Sequence, residues 1–100
     1  MIVYLVELEM DAALRDEYLA WLRGHVAEMR AFPGFLGADI LAPVDPLPAE
    51  GRGILYAQYR LRDRGAWQAY LAEHAPRMRE AGLARFGERV KATRRVLEIA

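Results

Sequence analysis

The chain contains no cysteine, no serine and no asparagine, and Thr93 is its only residue with an aliphatic hydroxyl. These absences exclude disulfides, thiolate metal sites and catalysis by a serine or cysteine nucleophile. They also remove asparagine as a donor that could stabilise an oxyanion. Because a chain without cysteine fits a reducing compartment, and because residues 1–7 have neither a basic lead nor a long apolar run, we expect a cytoplasmic protein with no membrane partner.

The charges cancel over the whole chain but not within its halves. Residues 1–50 carry three arginines against nine acids, whereas residues 51–100 carry eleven bases against five acids. If the two halves pack side by side, their surfaces compensate each other and leave little net field to attract a polyanion. No recognition motif accompanies the arginines, so we expect no nucleic-acid partner.

The sequence contains an internal repeat with a spacing of 49 positions. The segment YLAWLRGH at residues 18–25 returns as WQAYLAEH at residues 67–74, so that aromatic, alanine, aromatic, leucine and histidine recur in register. The repeat places the only two histidines, His25 and His74, at equivalent positions on two predicted helices. A chain of 100 residues built from two similar halves is expected to form one domain over residues 1–100.

Hydrophobic periodicity predicts the order strand, helix, strand, strand, helix, strand. A period of two predicts strands over residues 2–9, 35–42, 54–61 and 90–99. Between the second and third strands, residues 43–53 contain three prolines and two glycines, a composition typical of an irregular loop.

Spacings of three and four residues predict two amphipathic helices. Asp11 and Asp63 each precede one of them and are expected to cap its N-terminus. Pro76 should kink the second helix or begin a new segment there. The apolar stripes are Leu14, Tyr18, Trp21, Leu22, Val26 and Met29 with His25 in the first helix, and Trp67, Tyr70, Leu71, His74 and Met78 in the second.

This order of elements matches an α+β fold of the ferredoxin-like βαββαβ type, in which two helices cover one face of a four-stranded antiparallel sheet. Glu7, Asp39, Gln58 and Arg60 are expected on the opposite face, as a hydrated rim with ion pairs. The large apolar side chains expected on that face are Val3, Leu5, Phe35, Leu41, Ile54 and Tyr56. Because a soluble monomer seldom leaves such a patch exposed, we predict a homodimer that packs sheet against sheet.

The chain resembles the dimeric α/β barrel superfamily and, within it, a bacterial family known only as a domain of unknown function. The residues that carry the resemblance are Ile2-Val3-Tyr4, Trp21, His25, Gln58-Tyr59, Tyr70-Leu71, His74-Ala75-Pro76, Arg85-Phe86-Gly87, Arg94 and Leu97-Glu98. The resemblance implies a ligand cavity between sheet and helices or inside the shared barrel. It implies no single reaction, since the superfamily includes cofactor-free monooxygenases, isomerases, haem-degrading enzymes and ligand sensors.

Six residues are predicted to bind a ligand. An imidazole beside aromatic rings on an apolar stripe can act as acid, base or ligand anchor, although a core histidine satisfied by a backbone carbonyl is the alternative. Aromatic side chains can form a wall for a planar ligand, although at helical spacing they also form ordinary core. Arg85 and Arg94 are singled out by the resemblance as candidates to hold an anion. The six are Trp21, His25, Tyr59, Tyr70, His74 and Arg85.

Helix geometry argues against a metal shared by the two histidines. If antiparallel helices cross near Trp21 and Tyr70, each histidine lies about 6 Å beyond the crossing in opposite directions. We therefore expect no metal and no cofactor, and a homodimer that binds a small aromatic or anionic ligand.

Two alternatives to that ligand-binding function remain open. One is a cofactor-independent monooxygenase or isomerase with a histidine acid or base, and the other is a non-catalytic scaffold with both histidines in the core. The haem-degrading version is disfavoured because its relatives use an asparagine with tryptophan and histidine, although Trp67 and His74 are present.

Overall fold

In a computed structural model that describes residues 1–100, helices cover one face of a single antiparallel sheet. The helices and strands are β1 (Ile2–Asp11), α1 (Arg15–Arg30), β2 (Phe35–Leu41), β3 (Arg52–Leu61), α2 (Arg64–Glu73), α3 (Ala75–Phe86) and β4 (Val90–Glu98). The strand order across the sheet is β2-β3-β1-β4, and all three pairings are antiparallel. The predicted α+β ferredoxin-like fold is confirmed.

The two central strands place alternate side chains on the two faces of the sheet. Inward-facing residues of β1 and β3 are buried, and the residues between them are half-buried on the outer face. Helix α1 covers the inner face with its buried residues Tyr18, Leu22, Val26 and Met29. The core therefore lies in one layer between the sheet and the helices.

The sequence repeat corresponds to a pseudo-twofold axis in the structure. Glu7 of β1 pairs with Tyr56 of β3, and these positions are 49 apart. The Tyr56 hydroxyl donates a hydrogen bond of 3.0 Å to Glu7 Oε1. Arg77 and Glu28, also 49 apart, form an ion pair of 3.0 Å between α3 and α1. A residue that contacts its own repeat equivalent lies on the axis, so both pairs mark where the two halves meet.

The two predicted helix caps have different outcomes. Asp63 is confirmed as the cap of α2, because its Oδ1 accepts a hydrogen bond of 2.8 Å from the amide of Ala66. Asp11 makes no cap, and that prediction is wrong. It is the last residue of β1 and pairs instead with Arg52 on β3, so a short 3₁₀ turn over Ala12–Leu14 precedes α1.

The second predicted helix is two helices, α2 and α3, separated by His74. The backbone of His74 leaves the helical region, with φ −129° and ψ −32°, and Pro76 lies in the first turn of α3. A proline has no amide hydrogen and its ring collides with the preceding turn, so α2 cannot continue through Pro76. The second half of the repeat therefore departs from the first at this point.

The outer face of the sheet carries five of the six apolar side chains predicted for it. Val3 and Leu5 alternate with buried residues on β1, as do Ile54 and Tyr56 on β3, and Leu41 pairs with Tyr56. Phe35 was assigned to this face wrongly.

Phe35 faces the helices, with its ring edge-on to Tyr59 and Tyr70 at 5.9 and 5.4 Å. A β-bulge between Phe35 and Gly37 shifts the alternation of inward and outward side chains by one residue at the start of β2.

None of the helices has both the length and the apolar character that a membrane span requires.

Candidate functional site

A cleft of about 90 Å³ lies between the inner face of the sheet and the helices. Most of its lining is apolar, with aliphatic side chains from the strands at its floor. Its aromatic lining consists of Tyr4, Tyr18, Trp21, Tyr59, Tyr70 and Phe86. A concave apolar surface with a few polar groups is the usual form of a small-molecule site.

Contacts between rings hold the aromatic lining in place. Tyr4 stacks on Tyr59 with ring centroids 5.6 Å apart. On the helical side, the Phe86 ring lies edge-on to Tyr18 at 4.8 Å and to Trp21 at 5.4 Å. Offset and edge-on contacts of this kind are the favoured arrangements for aromatic pairs, so the walls of the cleft are largely preformed.

His25 reaches the cleft from α1. It lies one helical turn after Trp21, and the two rings stack at 4.6 Å with an angle of 24° between their planes. Burial lowers the pKa of His25 below its ordinary value, with the Glu28 charge opposing this shift. His25 is therefore neutral at physiological pH, with one ring nitrogen able to accept a proton and the other able to donate one.

Three tyrosine hydroxyls of the cleft remain protonated at neutral pH. Burial raises the pKa of Tyr18 to about 12, against the opposing charge of Arg94. Burial raises the pKa of Tyr70 to about 12 as well, against the charges of Arg79 and Arg94. The pKa of Tyr59, which is 2% exposed, is also raised by burial and by the neighbouring phenols. These phenols are therefore available as hydrogen-bond donors.

Two guanidinium groups line the cleft, those of Arg79 on α3 and Arg94 on the edge strand β4. Arg94 pairs with Val6 in the sheet and so faces the helices, and its Nε donates a hydrogen bond of 3.2 Å to the Tyr4 hydroxyl. The Nε of Arg79 is buried without a hydrogen-bond partner. Neither arginine takes part in the ion pairs of the molecule.

The sequence comparison identifies a family. The model of the family described as a domain of unknown function, DUF4286, matches residues 1–100. The chain belongs to the DUF4286 family. No curated protein matches it.

Solved structures with the same fold include proteins of different activities. MhuD, a heme-degrader from Mycobacterium tuberculosis, is 20% identical with a TM-score of 0.71, and the match covers 100% of this chain and 96% of MhuD. SnoaB, a cofactor-independent oxygenase from Streptomyces nogalater, is 16% identical with a TM-score of 0.65, over 98% and 92% of the chains. A dimeric ferredoxin-like protein from an uncultured marine organism is 13% identical with a TM-score of 0.75, over 99% and 94%. These similarities confirm the fold.

In the DUF4286 chain, four of the six predicted site residues meet at the cleft: Trp21, His25, Tyr59 and Tyr70. The other two lie elsewhere. His74 occupies the break between α2 and α3, where its ring stacks on Phe32 at 3.9 Å. Arg85 is exposed on α3, with its guanidinium 5.4 Å from the centre of the Phe86 ring.

The position of His74 follows from Pro76. Because α1 is continuous and its counterpart breaks at His74, the two histidines of the repeat lie in different surroundings. The same break explains why the stripe predicted for the second helix does not include Arg79. Read from Ala75 onward, the spacing of Ala75, Arg79, Gly82 and Phe86 is that of an inward stripe, and this signal would have found Arg79.

The DUF4286 cleft therefore combines one neutral imidazole, protonated phenols and two cationic side chains. No three histidine, aspartate or glutamate side chains of the structure converge on a point. The imidazole can exchange a proton with a bound molecule, while the guanidinium and phenol groups can donate hydrogen bonds to an oxygen that carries negative charge.

Proposed function

We propose that this protein binds a small aromatic molecule in the cleft between its sheet and its helices. The observation that carries the proposal is the preformed aromatic wall, with Trp21 and Phe86 on the helical side and Tyr59 on the sheet. Planar ligands are held by rings of this kind, and the polar tips of His25 and Tyr70 supply the few directional contacts that such sites need.

The proposed binding unit is a homodimer formed through the outer face of the sheet. Val3 and Leu5 of β1 lie on this face together with Ile54 and Tyr56 of β3, and a second copy of the same surface would remove them from water. The structural similarity to a dimeric ferredoxin-like protein supports this assembly. A cytoplasmic location remains a prediction based on the absence of cysteine.

The two histidines offer a matched test of the binding site. We expect benzamide, an uncharged aromatic probe, to shift the NMR signals of cleft residues in the wild-type protein. His25→Ala should weaken this binding because it removes a side chain of the cleft, whereas His74→Ala removes an equivalent side chain outside it. Equal effects of the two substitutions, or no shifts at all, would contradict the proposed site. Native mass spectrometry of gently purified protein then identifies any molecule that stays bound.

A scaffold without a ligand is the function that remains if that test finds no binding. In this case both histidines serve packing alone, His25 through its stack on Trp21 and His74 through its stack on Phe32.

A second candidate function is proton transfer by His25, as in a cofactor-independent oxygenase or isomerase. The observation that favours it is a neutral imidazole in the same cleft as two cations. His25 would take a proton from an acidic carbon of the ligand, and the electron pair left behind would become an enolate that a guanidinium stabilises.

Solvent exchange tests this step without any oxidant. In deuterated water, the wild-type protein should speed deuterium incorporation at the carbon next to the carbonyl group of an aromatic ketone such as 2-tetralone. His25→Gln should abolish the acceleration, and Tyr59→Phe should retain most of it because a phenol is not the base. Equal exchange with wild type and His25→Gln would exclude His25 as the base.

A further inference from the structure

The charges of the cleft are unbalanced. Arg79 and Arg94 are its only permanently charged side chains, and no aspartate or glutamate lines it. The chain as a whole has as many acids as bases. Elsewhere some arginines pair with acids: Arg60 lies 2.7 Å from Asp39, and Arg64 lies 2.6 Å from Glu98. The cleft lining, by contrast, holds two positive charges and no acid.

The cleft is also rich in hydrogen-bond donors. A guanidinium donates and cannot accept, and the protonated phenols of Tyr18, Tyr59 and Tyr70 can each donate as well as accept. The Tyr4 oxygen already accepts from Arg94, so its own hydrogen is left to donate. A ligand that complements the two guanidiniums brings acceptors, and negative charge makes those acceptors stronger.

The buried Nε of Arg79 has the greatest need of such an acceptor. A cationic group that loses water without gaining a partner is unfavourable, and an anion at this position would offset the cost. Arg79 and Arg94 line the same cleft as Trp21, Tyr70 and Phe86. One ligand in the cleft can therefore contact the aromatic wall and a guanidinium together.

We infer that the ligand is an aromatic carboxylate, whose ring packs against Trp21 and Phe86 and whose carboxylate binds Arg79 and Arg94. This inference rests on the proposed function and adds the class of ligand. Guanidinium and carboxylate groups match in geometry, and hydrogen bonds between charged groups are stronger than those between neutral ones. The ring supplies apolar contact, and the charge selects acids over neutral compounds of the same shape.

Two probes with the same ring distinguish the carboxylate inference from the proposed binding of aromatic molecules in general. Benzoate and benzamide are to be titrated into the wild-type protein and followed by NMR shifts of cleft residues. Benzoate should bind about tenfold or more tightly than benzamide, because hydrogen bonds to a charged partner contribute more than neutral ones. Equal affinities would overturn the carboxylate inference and leave the aromatic cleft in place. Failure of both probes to bind would overturn the inference together with the proposed function.

Substitutions then test whether the preference for benzoate depends on the two arginines. Arg79→Met and Arg94→Met should each weaken benzoate binding by about tenfold or more and weaken benzamide binding by a clearly smaller factor. Arg23→Met is the matched control, since it removes the same charge from an exposed position of α1 away from the cleft. An equal loss with Arg23→Met would mean that overall charge is responsible and would overturn the inference. The comparison of the two probes needs no variant, so it stands even if a substituted chain does not fold.

Discussion

Gly34 links the turn after α1 to the start of α2. Its φ is +85°, a conformation that other residues adopt only with strain, and a Cβ added there would lie 2.4 Å from the Cβ of Ala66. We expect Gly34→Ala to lower the free energy of unfolding by about 2–4 kcal/mol, through backbone strain and overpacking together. Gly51 has a similar φ of +78° but open space around it. Gly51→Ala should therefore cost only about 1 kcal/mol. Similar urea midpoints for the two variants would argue against the contact with Ala66.

His25 should make the stability of the protein depend on pH. Burial lowers its pKa in the folded state, so the unfolded chain binds a proton more readily. Above its ordinary pKa of 6.5, His25 is neutral in both the folded and the unfolded state and does not change the free energy of unfolding. As the pH falls below that value, the free energy of unfolding decreases. Wild type should thus lose more stability than His25→Gln between about pH 7.5 and about pH 5 in urea titrations. Parallel losses in the two proteins would show that His25 does not titrate abnormally.

At the scale of the elements, α2 depends on the carboxylate at its start. The pKa of Asp63 is lowered, chiefly by the hydrogen bond from the Ala66 amide and then by Arg62. Its contribution to stability is therefore present above the ordinary aspartate pKa and lost as the pH falls through the lowered value. Asp63→Ala should lower the urea midpoint more than Asp63→Asn, which keeps an acceptor oxygen.

The control for this prediction is Asp11→Ala, because Asp11 also precedes a helical segment but caps nothing. It should disturb only the exposed pair with Arg52, and circular dichroism should report unchanged helix content. A loss of helix with Asp11→Ala as large as that with Asp63→Ala would contradict the assignment of the caps.

Local patterns in the sequence predicted the elements well because strands and helices are set by short-range periodicity. The errors have a common cause, which is a contact or a phase change that the local pattern does not contain. Asp11 has the local pattern of a helix cap, but its partner Arg52 lies 41 residues away, outside that pattern. The bulge at Phe35 and the break before Pro76 each reset the phase of an element. Because of this break, His74 lies outside the cleft and Arg79 lines it.

At the scale of the whole molecule, the acidic and basic halves of the chain neutralise each other through contacts between them. Arg52 binds Glu9 at 3.2 Å, and Arg77 binds Glu28 at 3.0 Å, each pair joining one half to the other. Exposed pairs of this kind add little stability individually. The lining of the cleft differs from this surface, because it contains two arginines and no acid.

The outer face of the sheet gives the prediction that belongs to the assembled molecule. Leu5 lies on the central strand β1 with Gln58 and Arg95 as its neighbours across the sheet, so a charge there would fall within the proposed interface. Leu5→Lys should weaken association by about 3 kcal/mol or more, which is about a hundredfold. Light scattering should then change from twice the 11.4 kDa protomer mass to the protomer mass itself.

The control is Val44→Lys, which adds the same charge at a loop position that is 85% exposed. It should leave the dimer intact, because a side chain already in water loses no apolar burial when it becomes charged. If Val44→Lys dissociated the protein as strongly as Leu5→Lys, net charge would be the cause. A wild-type particle of 11.4 kDa at every concentration would mean that no second copy covers Val3, Leu5, Ile54 and Tyr56.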